Sequence, residues 1–295
     1  MELSPVKKTI LYDANARYFG VKAVDSDRRK EKIGIGQVKV LKTPAPSSHK
    51  GDNGKLLIIG GSQKYHGAPL LAAKIASKIV DLVYFSSTAE NNELLKKMKS
   101  RLGEFIAVPQ ESVFQQAKSV DAILIGPGID VDPKFTAIIN GLLRKFPKKK
   151  FVLDAGAFKM VDKKLLNKNC LLTPHHGEFR ALFKKTPNPS NLKAMARQYN
   201  CIIVLKGPKD LVAAKNQFQI NDTGNSGMTK GGTGDVLAGL IAALSCQNDL
   251  FLSASAGVFI NGLAGDRLYR KEGFHYNASD LIAEIPKTVN WCRSW

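Results

Sequence analysis

Asn221-Asp-Thr-Gly-Asn-Ser-Gly-Met-Thr-Lys-Gly-Gly-Thr-Gly-Asp-Val-Leu-Ala-Gly239 is the densest signal in the chain. Gly231, Gly232 and Gly234 permit a tight turn whose amides point one way. The apolar run behind them reads as a helix opening near Thr233, whose dipole adds positive potential to the turn. Such a nest suits phosphate oxygens, above all the charge that develops on a phosphoryl group in transfer. Asp235 sets a carboxylate beside it, where a substrate hydroxyl can give up a proton. The blander alternative is a glycine turn that only caps a buried helix. Two other phosphate-binding designs are excluded. G-x-x-x-x-G-K-[ST] occurs nowhere, and Gly34-Ile-Gly36 lacks the third glycine and the preceding strand of a dinucleotide fingerprint.

Working outward from that stretch, the chain from Lys55 onward alternates strand and helix signals, the pattern of a mainly parallel α/β sheet. Leu56-Leu-Ile-Ile, Leu82-Val-Tyr-Phe-Ser, Ala122-Ile-Leu-Ile-Gly, Phe151-Val-Leu-Asp, Cys170-Leu-Leu-Thr and Ile202-Ile-Val-Leu-Lys read as strands. Helices are expected over residues 68–80 and 90–100. Several strands end in Gly, Asp, Thr or Lys, and ligands of open α/β sheets bind at strand carboxyl ends. Leu211-Val-Ala-Ala and Phe218-Gln-Ile precede the glycine loop. Residues 1–48 are polar and basic and end in Thr43-Pro-Ala-Pro-Ser-Ser, which suits an extended connector.

The 295 residues, 44% of them hydrophobic, fit one large domain with a short appendage. The longest apolar run, Val236 to Leu244, is too short to cross a bilayer and contains Gly239. The N-terminus has no apolar stretch of the secretory kind, so the chain reads as cytoplasmic with no membrane partner. Cys170, Cys201, Cys246 and Cys292 lie far apart without C-x-x-C spacing, so zinc and redox dithiols are unsupported. A balance of 44 basic to 25 acidic residues gives +19. That charge suggests anionic partners, or simply a solvated cationic surface.

The chain resembles the carbohydrate-kinase-like NAD(P)H-hydrate dehydratases, over roughly residues 49 to 285. The resemblance is carried by His49-Lys-Gly-Asp-Asn-Gly, Gly60-Gly-Ser with Gly67-Ala-Pro, Ile125-Gly-Pro-Gly-Ile and Leu153-Asp-Ala. Thr173-Pro-His-His-Gly-Glu, Val204-Leu-Lys-Gly, the 221–239 stretch and Gly262-Leu-Ala-Gly-Asp continue it in order. It implies a ribokinase-like fold over residues 49–295, with helices on both faces of the sheet and residues 1–48 as extension and linker. It further implies nucleotide-dependent dehydration of (6S)-NAD(P)H hydrate to NAD(P)H, with magnesium as cofactor. The co-substrate is ADP or ATP; stand-alone archaeal and bacterial relatives typically use ADP.

The resemblance also assigns roles. Lys206, Gly207, Pro208, Lys209 and Asp210, with Asn225 and Gly234, hold the adenine nucleotide. Gly232 and Gly234 belong to the catalytic anion hole and Asp235 is the catalytic base. Ala68, Gly128, His175 and Asp235 contact the hydrated nicotinamide nucleotide, and Glu178 orders magnesium through water. On the residues alone, Gly128 suits a place where a ligand approaches the backbone closely, and Lys206 is a point charge at a strand end. His176 reads as a plain loop residue.

The pattern departs from the family at Asp154-Ala-Gly156, where a second carboxylate is usual. The extension is also shorter than the epimerase domain often fused to such enzymes, so a separate epimerase is expected. A homo-oligomer, commonly a tetramer, is implied as well. One rival is a small-molecule kinase for a vitamin precursor or sugar on the same scaffold, which fold alone cannot separate. The other is a nucleic-acid-binding protein, suggested by charge alone. No aromatic RNA-recognition motif or zinc spacing supports it, so no specific nucleic-acid partner is expected.

Overall fold

The residues 56–59 run, apolar at every position, forms β1 (Lys55–Ile59) and is buried on both faces. A computed structural model describes residues 31–98 and 103–295. The strands β2 (Leu82–Ser86), β3 (Ile106–Ala107), β4 (Ala122–Ile125), β5 (Lys150–Leu153), β6 (Cys170–Leu172) and β7 (Ile202–Leu205) run parallel to β1. A final hairpin, β8 (Asp210–Ala213) and β9 (Phe218–Asn221), adds antiparallel pairs at one edge. The order is β3-β2-β1-β4-β5-β6-β7-β8-β9, so the chain steps outward from β1 and then returns to its other side. The reversal opens a crevice beyond the carboxyl ends of β1 and β4.

Side chains alternate across the sheet and divide the core in two. Leu56 and Ile58 face α1 (Ile35–Lys39), α2 (Gly67–Ala76) and the three C-terminal helices, α8 (Thr233–Gln247), α9 (Leu250–Glu272) and α10 (Ala278–Ser294). Leu57 and Ile59 face α4 (Val113–Ser119), α5 (Pro133–Lys145), α6 (His176–Phe183) and α7 (Pro189–Gln198). With helices covering both faces, parallel strands read as continuous apolar runs, which is why they were legible. The helices expected over 68–80 and 90–100 are α2, which ends four residues short at Ala76, and α3 (Ala89–Met98), with residues 99 and 100 outside the described residues.

Residues 1–30 of the extension lie outside the described residues. Beyond them, Ile33, Val38 and Leu41 are buried in the same core as α8 to α10, and the Ile33 N–H donates to the Ile220 carbonyl at 3.0 Å. The apolar run from Val236 is the interior of α8, whose residues Val236 to Cys246 are all buried. All four cysteines are free and buried, and burial pushes the Cys170 thiol up to about 11. Among the described residues no helix is long and apolar enough to cross a membrane.

The α2–α8 contact positions the glycine loop over the sheet, and it depends on Gly239. A β-carbon there would lie 2.6 Å from both the α-carbon and the carbonyl oxygen of Ala72. Alanine is the better helix former by about 0.8–1 kcal/mol, but overpacking against backbone costs about 1–3 kcal/mol. Gly239→Ala is therefore expected to lower the urea midpoint. An unchanged or raised midpoint would mean that the two helices do not meet there.

Candidate active site at the carboxyl edge of the sheet

Three strand ends converge on one buried ion pair. Asp154 follows β5, and its Oδ1 accepts from the Thr173 hydroxyl at 2.7 Å and from Lys206 Nζ at 3.0 Å. Lys206 follows β7 and is held there by its N–H, which donates to the Pro174 carbonyl at 2.9 Å. The side chains are only 3% and 18% exposed. Burial works against the lysine's charge, yet the carboxylates of Asp154, Glu178 and Asp235 outweigh it and hold the ammonium above the usual lysine range.

The glycine loop approaches this pair from the other side. Gly232 caps α8 at φ 94°, a left-handed position natural to glycine, and a β-carbon there would lie 2.4 Å from Leu71 Cδ1. No side chain caps the helix at Gly232, but the Thr233 N–H donates to the Lys230 carbonyl at 3.4 Å and the Asp235 carboxyl is bonded to its own N–H, which leaves the Gly234 N–H to meet an anion. A β-carbon on Gly234 would sit 3.6 Å from Lys206 Nζ, which places the lysine against the helix N-terminus. Asp235 lies in that first turn. Burial, followed by the Asp154 carboxylate, pushes its carboxyl up to about 7, with Lys206 opposing. A base, a fixed cation and the positive end of a helix are thus brought together.

His175 and Glu178 form the reciprocal cap of α6. His175 Nδ1 accepts from the Gly177 and Glu178 N–H groups at 3.0 and 3.3 Å, and Glu178 Oε2 accepts from the His175 N–H at 2.8 Å. With Nδ1 accepting, the neutral ring carries its proton on Nε2, 3.6 Å from Glu178 Oε1. His176, expected as a plain loop residue, is the first residue of α6. Its Nε2 would meet a β-carbon on Gly207 at 3.1 Å.

Ala68, Gly128 and Glu178 line a cleft of about 700 Å³ at the β1/β4 reversal, together with Tyr65, Gly156 and Phe158. Gly128 does sit in the cleft wall, but its glycine is required by protein backbone. It adopts φ 69°, and a β-carbon would lie 2.8 Å from the Tyr65 carbonyl oxygen. Gly156 stands where the resemblance led us to expect a second acid, and here a β-carbon would lie 2.0 Å from the Ile129 carbonyl oxygen. The turn after β5 is pressed onto the turn after β4, so a carboxylate does not fit without backbone movement.

The remaining expected nucleotide residues sit in two neighbouring turns. Lys206 to Asp210 join β7 to β8, and the Gly207 N–H donates to Asp210 Oδ1 at 3.2 Å. Burial pushes Asp210 up to about 6, opposed by that N–H and by the Asn221 amide. Lys209 is exposed and paired with Asp222 at 3.0 Å, and Pro208 is exposed. Asn225 lies in the loop before Gly232, and its side chain is engaged by protein. Nδ2 donates to Asp266 at 3.0 Å, while Oδ1 accepts from the Gly227 N–H at 2.9 Å and the Tyr276 hydroxyl at 2.7 Å. Sequence reasoning quoted Asp154 and Asp266 in motifs without assigning them a role, and missed Tyr276. Among the described residues, no three His, Cys, Asp or Glu side chains converge to hold a metal.

A family model described as NAD(P)H-hydrate dehydratase matches residues 56–287. The chain is similar to the bifunctional NAD(P)H-hydrate repair enzyme of Methanocaldococcus jannaschii, 40% identical over 264 residues, covering 87% of this chain and 52% of that protein. It thus spans about half the length of such bifunctional relatives. It is also similar to the ADP-dependent (S)-NAD(P)H-hydrate dehydratase of Cenarchaeum symbiosum, 33% identical over 262 residues, covering 82% of this chain and 90% of that one. A crystal structure from Bacillus subtilis matches with a TM-score of 0.76 at 25% identity, over 89% of this chain and 99% of that one. It is described as an ADP/ATP-dependent NAD(P)H-hydrate dehydratase co-crystallized with ATP/Mg2+.

Only the ionised form of Asp235 accepts a proton, so kcat/KM should rise with pH through about 7. Asp235→Asn is expected to abolish that limb and lower the rate by about 10²–10⁴-fold, with ADP affinity nearly intact. Stability carries the opposite sign. The folded carboxyl keeps its proton between 3.8 and about 7, so its contribution is present at low pH and lost as pH rises through about 7. Asp235→Asn should therefore raise the thermal midpoint more at about pH 8 than at about pH 4. Equal shifts at both would show that Asp235 is not held protonated by burial.

Proposed function

The chain belongs to the NAD(P)H-hydrate dehydratase family, and from that premise we propose that it dehydrates (6S)-NAD(P)H hydrate to NAD(P)H, converting ADP to AMP and phosphate. The observation that carries this reading is Asp235, held near neutrality beside Lys206 at an uncapped helix N-terminus. A carboxylate of that kind can take a proton from a hydroxyl, and the surrounding donors suit a phosphoryl group.

The proposed reaction has two stages. Asp235 takes the proton of the ring hydroxyl while that oxygen bonds to the terminal phosphorus of the nucleotide and AMP departs. Lys206 and the Gly234 region of the α8 N-terminus stabilise the phosphoryl charge. Phosphate is a better leaving group than hydroxide. The ring nitrogen's lone pair assists the breaking of the carbon–oxygen bond, the neighbouring carbon gives its proton to the departing phosphate, and the ring double bond returns. The hydroxyl oxygen leaves in the phosphate, so hydrate plus ADP balances NAD(P)H, AMP and phosphate.

Ala68, Gly128 and Glu178 line the cleft offered to the hydrated nucleotide, with His175 capping α6 beside Glu178. The Lys206–Asp210 turn offers a lysine and backbone N–H groups to the second nucleotide. Magnesium would neutralise the phosphate oxygens. Glu178 faces the cleft while its Oε2 is engaged by the His175 N–H, so it fits contact through a water better than direct ligation.

Hydrated NADH incubated with ADP or ATP tests the proposal through the return of reduced-nicotinamide absorbance. ADP is expected to support turnover at least as well as ATP. A clear preference for ATP would overturn the ADP assignment, and no turnover with either would overturn the activity.

A further inference from the structure

The loop between β9 and α8 is gripped from behind by residues with no place in the chemistry above. Asp266, on α9, uses both carboxylate oxygens on consecutive residues: Oδ2 accepts from the Gly224 N–H at 3.0 Å and Oδ1 from Asn225 Nδ2 at 3.0 Å. Tyr276, in the connection from α9 to α10, is 1% exposed, and its hydroxyl donates to Asn225 Oδ1 at 2.7 Å. Lys230 Nζ donates to the carbonyls of Phe274 and Tyr276, which closes the far end of the loop onto the same connection.

These contacts lead mechanically to the anion site. Asn225 caps the short 3₁₀ helix Ser226–Thr229. The Thr233 hydroxyl then bonds the carbonyls of Met228 and Lys230 at 2.6 and 2.9 Å, one residue before Gly234. The spacing leaves little slack. A β-carbon on Gly227 would lie 2.8 Å from the Tyr276 ring, and one on Gly265 would lie 2.5 Å from Met228 Sδ. Asn225 itself donates to one protein group and accepts from two, so its carboxamide is occupied with shaping the turn.

We propose that Asp266 and Tyr276 are positioning residues that act through Asn225 to hold the glycine loop where its helix N-terminus can receive nucleotide phosphate. This rests on the dehydratase reading only for what the nucleotide is used for. Burial pushes the Tyr276 hydroxyl above the usual tyrosine range, which keeps it a donor at neutral pH.

The test separates positioning from support of the fold. ADP binding is measured by calorimetry without the hydrated substrate, followed by steady-state rates with hydrated NADH. Tyr276→Phe removes one hydrogen bond, and is expected to weaken ADP binding by about 3–10-fold and lower kcat by a similar factor. KM for hydrated NADH should stay near its original value. Asp266→Ala removes both anchors and should weaken ADP binding further, while Asp266→Asn, which keeps one acceptor, should fall between the two. A purely structural role would lower the thermal midpoint or the active fraction and leave ADP affinity per folded molecule unchanged, and that result would overturn the proposal. An unaltered ADP affinity in folded Tyr276→Phe would do the same. If the original protein binds ADP but does not dehydrate hydrated NADH, the activity reading fails and the calorimetry still judges the catch.

Discussion

A single ammonium group, Lys206 Nζ, stands among the carboxylates of Asp154, Glu178 and Asp235 at the carboxyl edge of the sheet. Removing one member of a buried pair leaves an uncompensated charge, at a cost of about 3–5 kcal/mol. The strands β5, β6 and β7 therefore have to end in register for the pair to form, and they do so through Asp154, Thr173 and Lys206. The same cation tempers the field at Asp235, whose burial and neighbouring acid would otherwise raise its carboxyl further. Fold and proton chemistry meet in that one pair.

Close backbone approach is the second constraint. The turns after β1, β4 and β5 touch one another through glycines. A β-carbon on Gly60 would lie 2.6 Å from the Pro127 carbonyl oxygen, and one on Gly126 would lie 1.7 Å from the Asp154 carbonyl oxygen. These contacts shape the wall of the cleft before any ligand enters. They also account for Gly156, where a β-carbon would lie 2.0 Å from the Ile129 carbonyl oxygen.

Much of this was legible because the relevant signals are local. Doubly buried strands read as apolar runs, and Gly231 to Asp235 announce a turn that enters a helix. Other features were hidden for definite reasons. β3 has only two residues, too few for a pattern. In the extension, Ile33, Val38 and Leu41 share a short stretch with Ile35 and the exposed Val40, and their burial depends on α8 to α10, hundreds of residues away. Gly128 was read as a place for close approach of a ligand, whereas the neighbour that the structure shows, the Tyr65 carbonyl, is supplied by a loop more than sixty positions earlier. Asn225 and Tyr276 are 51 residues apart, and no local spacing reveals that bond.

The most direct test of the account follows phosphorus and nicotinamide together. Purified protein, hydrated NADH and ADP are combined, and ³¹P spectra are recorded alongside the absorbance of the reduced ring. Asp235 acting on the ring hydroxyl predicts that AMP, inorganic phosphate and NADH appear one for one, with no phosphorylated product accumulating. A stable phosphate ester with no gain in reduced-nicotinamide absorbance would contradict the account and identify the site as that of a kinase.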